Sequence, residues 1–153
     1  MRARVLGQVR VPKALACGIL EDGGRVLFLL RRGPDGLERL TLPCTLVPSG
    51  RSPFADMKIE FERQTGIECQ VHEIISEGRH NAGSRKRKQF VPALAFRITA
   101  RNMRARPPSE FSGFRWLVME AALKARLARE MEWLKRMEKG GSGNERKNHK
   151  AGP

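Results

Sequence analysis

Two almost unbroken apolar runs meet at a tight turn signal. Ala14-Leu-Ala-Cys-Gly-Ile-Leu20 and Arg25-Val-Leu-Phe-Leu-Leu30 flank Asp22-Gly-Gly24. Asp-Gly and Gly-Gly pairs supply the left-handed backbone that a two-residue hairpin turn needs, so 14–30 reads as a β-hairpin. Strands with one wet face alternate apolar and polar residues; these do not. Both faces must therefore be covered, which calls for further layers on each side. Leu40-Thr-Leu-Pro-Cys-Thr-Leu-Val47, broken by Pro43, reads as short extended pieces.

The next segment carries helix punctuation at both ends. Ser52 is placed to cap, Pro53 suits the first helical position and Gly66 suits the C′ position. Phe54, Met57 and Phe61 recur at i, i+3 and i+7 as a core stripe. Ile67 to Ile75 then reads as a strand: Ile67, Cys69 and Val71 alternate, and Ile74-Ile75 breaks the pattern at a bulge. His80 to Gln89 is expected to be a loop. Phe90 to Ile98 is expected to be a strand with Phe90, Leu94, Phe96 and Ile98 on one face, and Pro92 points to an edge or a bulge. Phe114 to Val118 is a last strand. Ala121 to Met137 is read as a helix with Leu123, Leu127, Met131 and Leu134 as its stripe and Trp133 exposed off it. Strands, helix, strands, helix make an α/β (α+β) sandwich with a mixed sheet. The expected domain is 1–138, with 139–153 a flexible basic tail.

Composition narrows the functional classes. The chain of 153 residues carries 30 Lys+Arg against 16 Asp+Glu, a formal +14. On one small domain that points to a polyanionic partner. Arg79-His-Asn-Ala-Gly-Ser-Arg-Lys-Arg-Lys88 holds five cations and no acid, and Arg101, Arg104 and Arg106 form a second patch. Arg79, Arg85, Lys86, Arg87, Lys88 and the second patch are the candidate contacts to phosphates, of RNA or of a nucleotide. Cys17, Cys44 and Cys69 include no CxxC pair, so reduced thiols are expected. His72, His80 and His149 form no set with Ser, Cys or Asp. No apolar run reaches membrane-helix length, so no membrane partner is expected. A cytoplasmic location is expected. Arg2, Arg4, Arg10 and Lys13, with no acid before Glu21, give the mitochondrial alternative.

The stretch from Leu42-Pro-Cys-Thr-Leu-Val-Pro-Ser-Gly-Arg-Ser-Pro-Phe to Ile59-Glu-Phe-Glu-Arg-Gln-Thr-Gly-Ile67 resembles the Nudix box, G-x5-E-x7-R-E-U-x-E-E-x-G-U. Glu60, Phe61, Gly66 and Ile67 agree with it. Thr45, Arg51, Ile59, Arg63 and Gln64 depart from it. Arg115-Trp-Leu-Val-Met-Glu-Ala121 is similar to the family's last strand and helix start. The resemblance implies a Nudix-like fold over about 12–137 and often a homodimer. It also implies hydrolysis of nucleoside diphosphate derivatives with Mg2+ or Mn2+ if the site is active, and no cofactor otherwise. The family's two metal-binding glutamates fall on Arg63 and Gln64. Glu60 remains, as catalytic residue and metal ligand if the site is active, and Asp56 and Glu110 are candidates to complete the metal site. Arg63 can instead pair with Glu60 or contact a phosphate itself. Three expectations follow: a degenerate domain that binds RNA or a nucleotide-type polyanion, an active pyrophosphohydrolase, or a scaffold subunit of a ribosome-associated or other large ribonucleoprotein complex.

Overall fold

The computed structural model describes residues 11–136. Arg2, Arg4, Arg10 and the expected tail at 139–153 lie outside the described residues. The elements are β1 (Pro12–Asp22), β2 (Arg25–Arg32), β3 (Glu38–Thr41), β4 (Cys44–Pro48), α1 (Pro53–Thr65), β5 (Gln70–Asn81), β6 (Phe90–Thr99), β7 (Gly113–Leu117) and the short α2 (Met119–Leu123). A 3-10 turn at Arg129–Met131 leads into helical residues 132–136.

The expected hairpin is present, with Gly23 and Gly24 at φ 62° and 84°. Its strands pair only near the turn, at Glu21↔Val26 and Asp22↔Arg25, and then diverge. Beyond the turn β1 lies between β4 (antiparallel) and β6 (parallel), and β5 completes that part of the sheet beside β6. β2 lies between β3 and β7, both antiparallel. The whole is one seven-stranded mixed sheet joined through the hairpin.

The apolar runs feed two cores. Leu15, Cys17 and Phe28 face one cluster with Met131, Trp133 and Leu134. Ala16, Leu20 and Leu27 face the other, with Met57 and Phe61 of α1. Each side exploits a glycine for close approach. A Cβ on Gly18 would lie 2.7 Å from the Phe61 ring, and one on Gly78 would lie 2.5 Å from the Trp133 ring.

Several expectations need correction. Phe54 is 51% exposed and meets Phe96 only edge to face, so the α1 stripe is Met57 and Phe61, both fully buried. β5 runs on through His80 to Asn81, which shortens the loop to 82–89. The break expected at Ile74-Ile75 is present as register shifts between Val71 and Ile74 and between Ile74 and Ser76. β6 is internal, not an edge; Pro92 is accommodated because pairing with β1 begins only at Ala93. Phe90 is 45% exposed because the strand outruns α1, at about 3.3 Å per residue against about 1.5 Å.

The expected helix 121–137 is broken. Leu40 of edge strand β3 donates its N–H to the Arg126 carbonyl and accepts from the Ala128 N–H, both at 2.9 Å, which pulls 126–128 into an extended bridge. Unpaired groups on a sheet edge outcompeted the helical path there. Trp133 is 1% exposed, against the expectation of an exposed ring. No helix among the described residues is long and apolar enough to cross a membrane.

Candidate functional site

The candidate site lies on the face of α1 that carries Glu60, Arg63 and Gln64. The helix forms there for local reasons. Ser52 accepts a hydrogen bond from the Ala55 N–H at 3.2 Å, Pro53 opens the first turn, and Gly66 closes it at φ 73°. Residues i, i+3 and i+4 share one face, so these three side chains meet.

They meet as a closed network. Arg63 donates Nε to Glu60 Oε1 at 3.0 Å and Nη1 to Glu110 Oε1 at 2.9 Å. It therefore bridges two of the three carboxylates nominated for a metal. Arg63 and Glu110 perturb each other. Arg63 is raised above its ordinary value, first by Glu110 and then by Glu60, and the guanidinium holds the Glu110 carboxyl below its own. The third carboxylate, Asp56, is 8% exposed and is gripped by Arg51, whose Nε lies 2.9 and 3.0 Å from its two oxygens. A carboxylate position of the family, filled here by Arg51, has turned Asp56 into its counterion.

Gln64 is 4% exposed and serves β4. Its Oε1 accepts from the Cys44 N–H at 3.3 Å, and its Nε2 donates to the Cys44 carbonyl at 2.8 Å and to Glu60 Oε1 at 3.1 Å. On an edge strand, alternate residues turn both backbone groups away from the neighbour. The amide supplies the donor and acceptor that a partner strand would. A carboxylate cannot do both.

This donor set does not fit a divalent cation. Magnesium takes hard oxygens, chiefly carboxylates. Here two carboxylates meet a shared guanidinium, the third pairs with Arg51, and the amide spends both N–H donors and one oxygen lone pair on Cys44 and Glu60. Among the described residues no group of three or more His, Cys, Asp or Glu could hold a metal ion.

Thiol and imidazole chemistry have no foothold among the described residues either. Cys17, Cys44 and Cys69 are free and buried. Burial, with Cys44 opposite on β4, pushes Cys17 well up; burial and Glu62 push Cys69 up to about 11. His72 Nε2 lies 2.7 Å from the Thr99 hydroxyl. His80 is held below its ordinary value by burial and by Arg129.

The basic residues divide. Arg85, Lys86, Arg87 and Lys88 are exposed in the 82–89 loop, and Arg101, Arg104 and Arg106 are exposed at 101–106. The loops lie at opposite ends of the β5–β6 hairpin, about 30 Å apart at the strand rise. The fold does not bring them together. It brings the first loop to Arg129 and Arg136, which the sequence reading did not single out. Arg129 donates to the Asn81 and Gly83 carbonyls, and Arg136 donates to the Arg79 carbonyl at 3.0 Å. Arg79 itself lies over the Phe90 ring, 4.7 Å from its centroid.

No family model matches the chain. It is 27% identical over 128 residues to bis(5'-nucleosyl)-tetraphosphatase [asymmetrical] of Mus musculus, covering 76% of this chain and 87% of that protein. The structure is similar to a NUDIX hydrolase from Nitrosomonas europaea, with TM-score 0.61, 12% identity and coverage of 85% of this chain and 90% of that one. It is also similar to an Ap4A hydrolase of C. elegans, with TM-score 0.60, 17% identity and coverage of 88% and 99%. A mixed sheet with α1 on one face and the C-terminal segment on the other, matching these neighbours along most of their length, is a Nudix-like fold.

Proposed function

We propose that this Nudix-like domain binds a nucleotide-type polyanion, RNA or a free nucleotide, and that its hydrolase activity is weak or lost. The observation that carries this reading is the Arg63 bridge between Glu60 and Glu110. In a phosphoanhydride hydrolase a cation neutralises the substrate's oxygens and prepares the attacking water. A guanidinium offers fixed positive charge and forked donors to the same oxygens, but it neither activates water as a metal does nor leaves a vacant coordination position. Binding survives such an exchange; turnover does not. The surplus of cations elsewhere supplies further phosphate contacts.

The similarity to the mouse tetraphosphatase, across most of its length, favours a second reading. In it the domain is a metal-dependent pyrophosphohydrolase on a nucleoside diphosphate derivative, with Glu60, Asp56 and Glu110 swung free of their arginines. One experiment separates the two. Phosphate release from a panel of nucleotides, including bis(5'-nucleosyl) tetraphosphates, is followed with Mg2+ and with Mn2+. The first reading expects background rates, with nucleotide binding still detected by calorimetry. Metal-dependent release that Glu60→Gln abolishes establishes the second.

A further inference from the structure

We infer that the 82–89 loop and the C-terminal segment together form a phosphate-binding pocket for single-stranded RNA, separate from the α1 site. The inference rests on the polyanion reading above and says where and how binding occurs. Arg85 and Lys88 from the loop meet Arg129 and Arg136 around a cavity of about 500 Å³, with His80 also in its wall. A cavity of that size suits one nucleotide unit.

Four guanidinium or ammonium groups converge there against one carboxylate, Glu132. The arrangement is built rather than incidental. Arg129 ties the Asn81 and Gly83 carbonyls, and Arg136 ties the Arg79 carbonyl, so the C-terminal segment fixes the base of the loop. Within the loop, Asn81 Oδ1 accepts from the Gly83 and Gln89 N–H groups, both at 2.9 Å, and Ser84 accepts from the Arg87 N–H. The cations therefore project from a braced turn.

Single strands suit the pocket better than a duplex. Exposed Phe90 lines the pocket, with the Arg79 guanidinium over the ring, 4.7 Å from its centroid. An exposed aromatic ring and a guanidinium plane are both surfaces on which an unpaired base can stack, and a duplex has no unpaired base to offer. Phosphates held in the pocket position the strand; the stack is tolerant of base identity.

The test is fluorescence anisotropy with a labelled oligouridylate, a duplex of equal length as competitor, and a salt titration. Wild type is expected to prefer the single strand and to lose affinity steeply with salt. The Arg85→Gln/Lys88→Gln pair should lower the magnitude of the salt slope by about 1.4, at roughly 0.7 per phosphate contact on a single strand. Arg136→Gln should lower it by about 0.7. Phe90→Leu should weaken binding about five-fold or more. Glu132→Gln removes the opposing carboxylate and should tighten binding about two- to five-fold, a gain that damage to the fold does not produce. Circular dichroism checks that each variant is folded. Binding that ignores these substitutions but is lost in an Arg101→Gln/Arg104→Gln/Arg106→Gln variant overturns the pocket and leaves the polyanion reading standing. Equal affinity for the duplex overturns the single-strand assignment. No binding of RNA or of free nucleotide by the wild type overturns both.

Discussion

Gln64 shows what one residue decides at this site. At a position where the resemblance implies a metal-binding carboxylate, it donates to the Cys44 carbonyl and accepts from the Cys44 N–H. Gln64→Glu keeps the shape and removes the donor. The new carboxylate would face a carbonyl and Glu60 in a buried place, at a cost of about 1–3 kcal/mol at neutral pH. Burial and a like charge raise its folded pKa above the unfolded value. The penalty is therefore absent below the unfolded pKa. It grows as pH rises through the window between the two and is complete above the folded value. Urea denaturation of both proteins across acid and neutral pH checks this; a stability difference that does not change with pH would contradict it. That the family's positions are filled by Arg63 and Gln64 is legible in the sequence, and so is the Arg63–Glu60 pair at i, i+3. Glu110 is a candidate for this site from sequence, as a metal ligand; that it pairs with Arg63 instead is not legible, because its loop, 47 residues away, must first be folded against α1. Asp56 also moved between roles: its spacing offered a ligand, and Arg51 made it a counterion.

At the scale of elements, local signals succeeded where the chain satisfies its own ends. Ser52, Pro53 and Gly66 specify α1 without outside help. Ser52→Ala removes the acceptor for the Ala55 N–H and should cost about 1 kcal/mol. Gly66→Ala should cost more. Its φ of 73° disfavours a side chain by about 1–2 kcal/mol, and the new Cβ would lie 2.8 Å from the Arg106 carbonyl. Chemical denaturation ranks the two; a Ser52 variant less stable than the Gly66 variant would refute the assignment. Residues 121–137 behave differently. Leu123, Leu127, Met131 and Leu134 keep helical spacing, yet the path between them is extended at 126–128. Their periodicity records which residues face the core, and two different backbones can satisfy it. The choice belonged to Leu40, a residue more than eighty positions earlier, whose backbone groups needed partners. Phe54 and Trp133 depart from expectation for a related reason: burial depends on what lies opposite, an edge-to-face Phe96 ring for one and Gly78 beneath the ring for the other.

For the molecule as a whole, the formal charge of +14 has an energetic consequence beyond ligands. Like charges on one small body repel, and salt screens them over about 10 Å at 0.1 M. Raising ionic strength with sodium chloride should increase Tm by about 3 °C, corresponding to roughly 1 kcal/mol for a domain of this size. A Tm that falls with salt would mean that the surface ion pairs, including Arg63–Glu110, outweigh the repulsion. Distribution matters more than the sum. The sequence offers two basic patches as phosphate contacts, and the ten-residue span of β6 sets them at opposite ends. The sequence by itself determined the hairpin, the doubly covered strands and the capped helix, and the resemblance of 42–67 to the Nudix box implied the Nudix-like sandwich and marked Arg63 and Gln64 as replacements of acidic positions. These follow from signals within a few residues of one another. Only the tertiary structure decided which carboxylates Arg63 clamps, where the C-terminal segment leaves the helical path, and that Arg129 and Arg136 join Arg85 and Lys88. Each of those depends on groups distant in sequence, whose backbone hydrogen bonds and charges find partners only once the sheet has assembled.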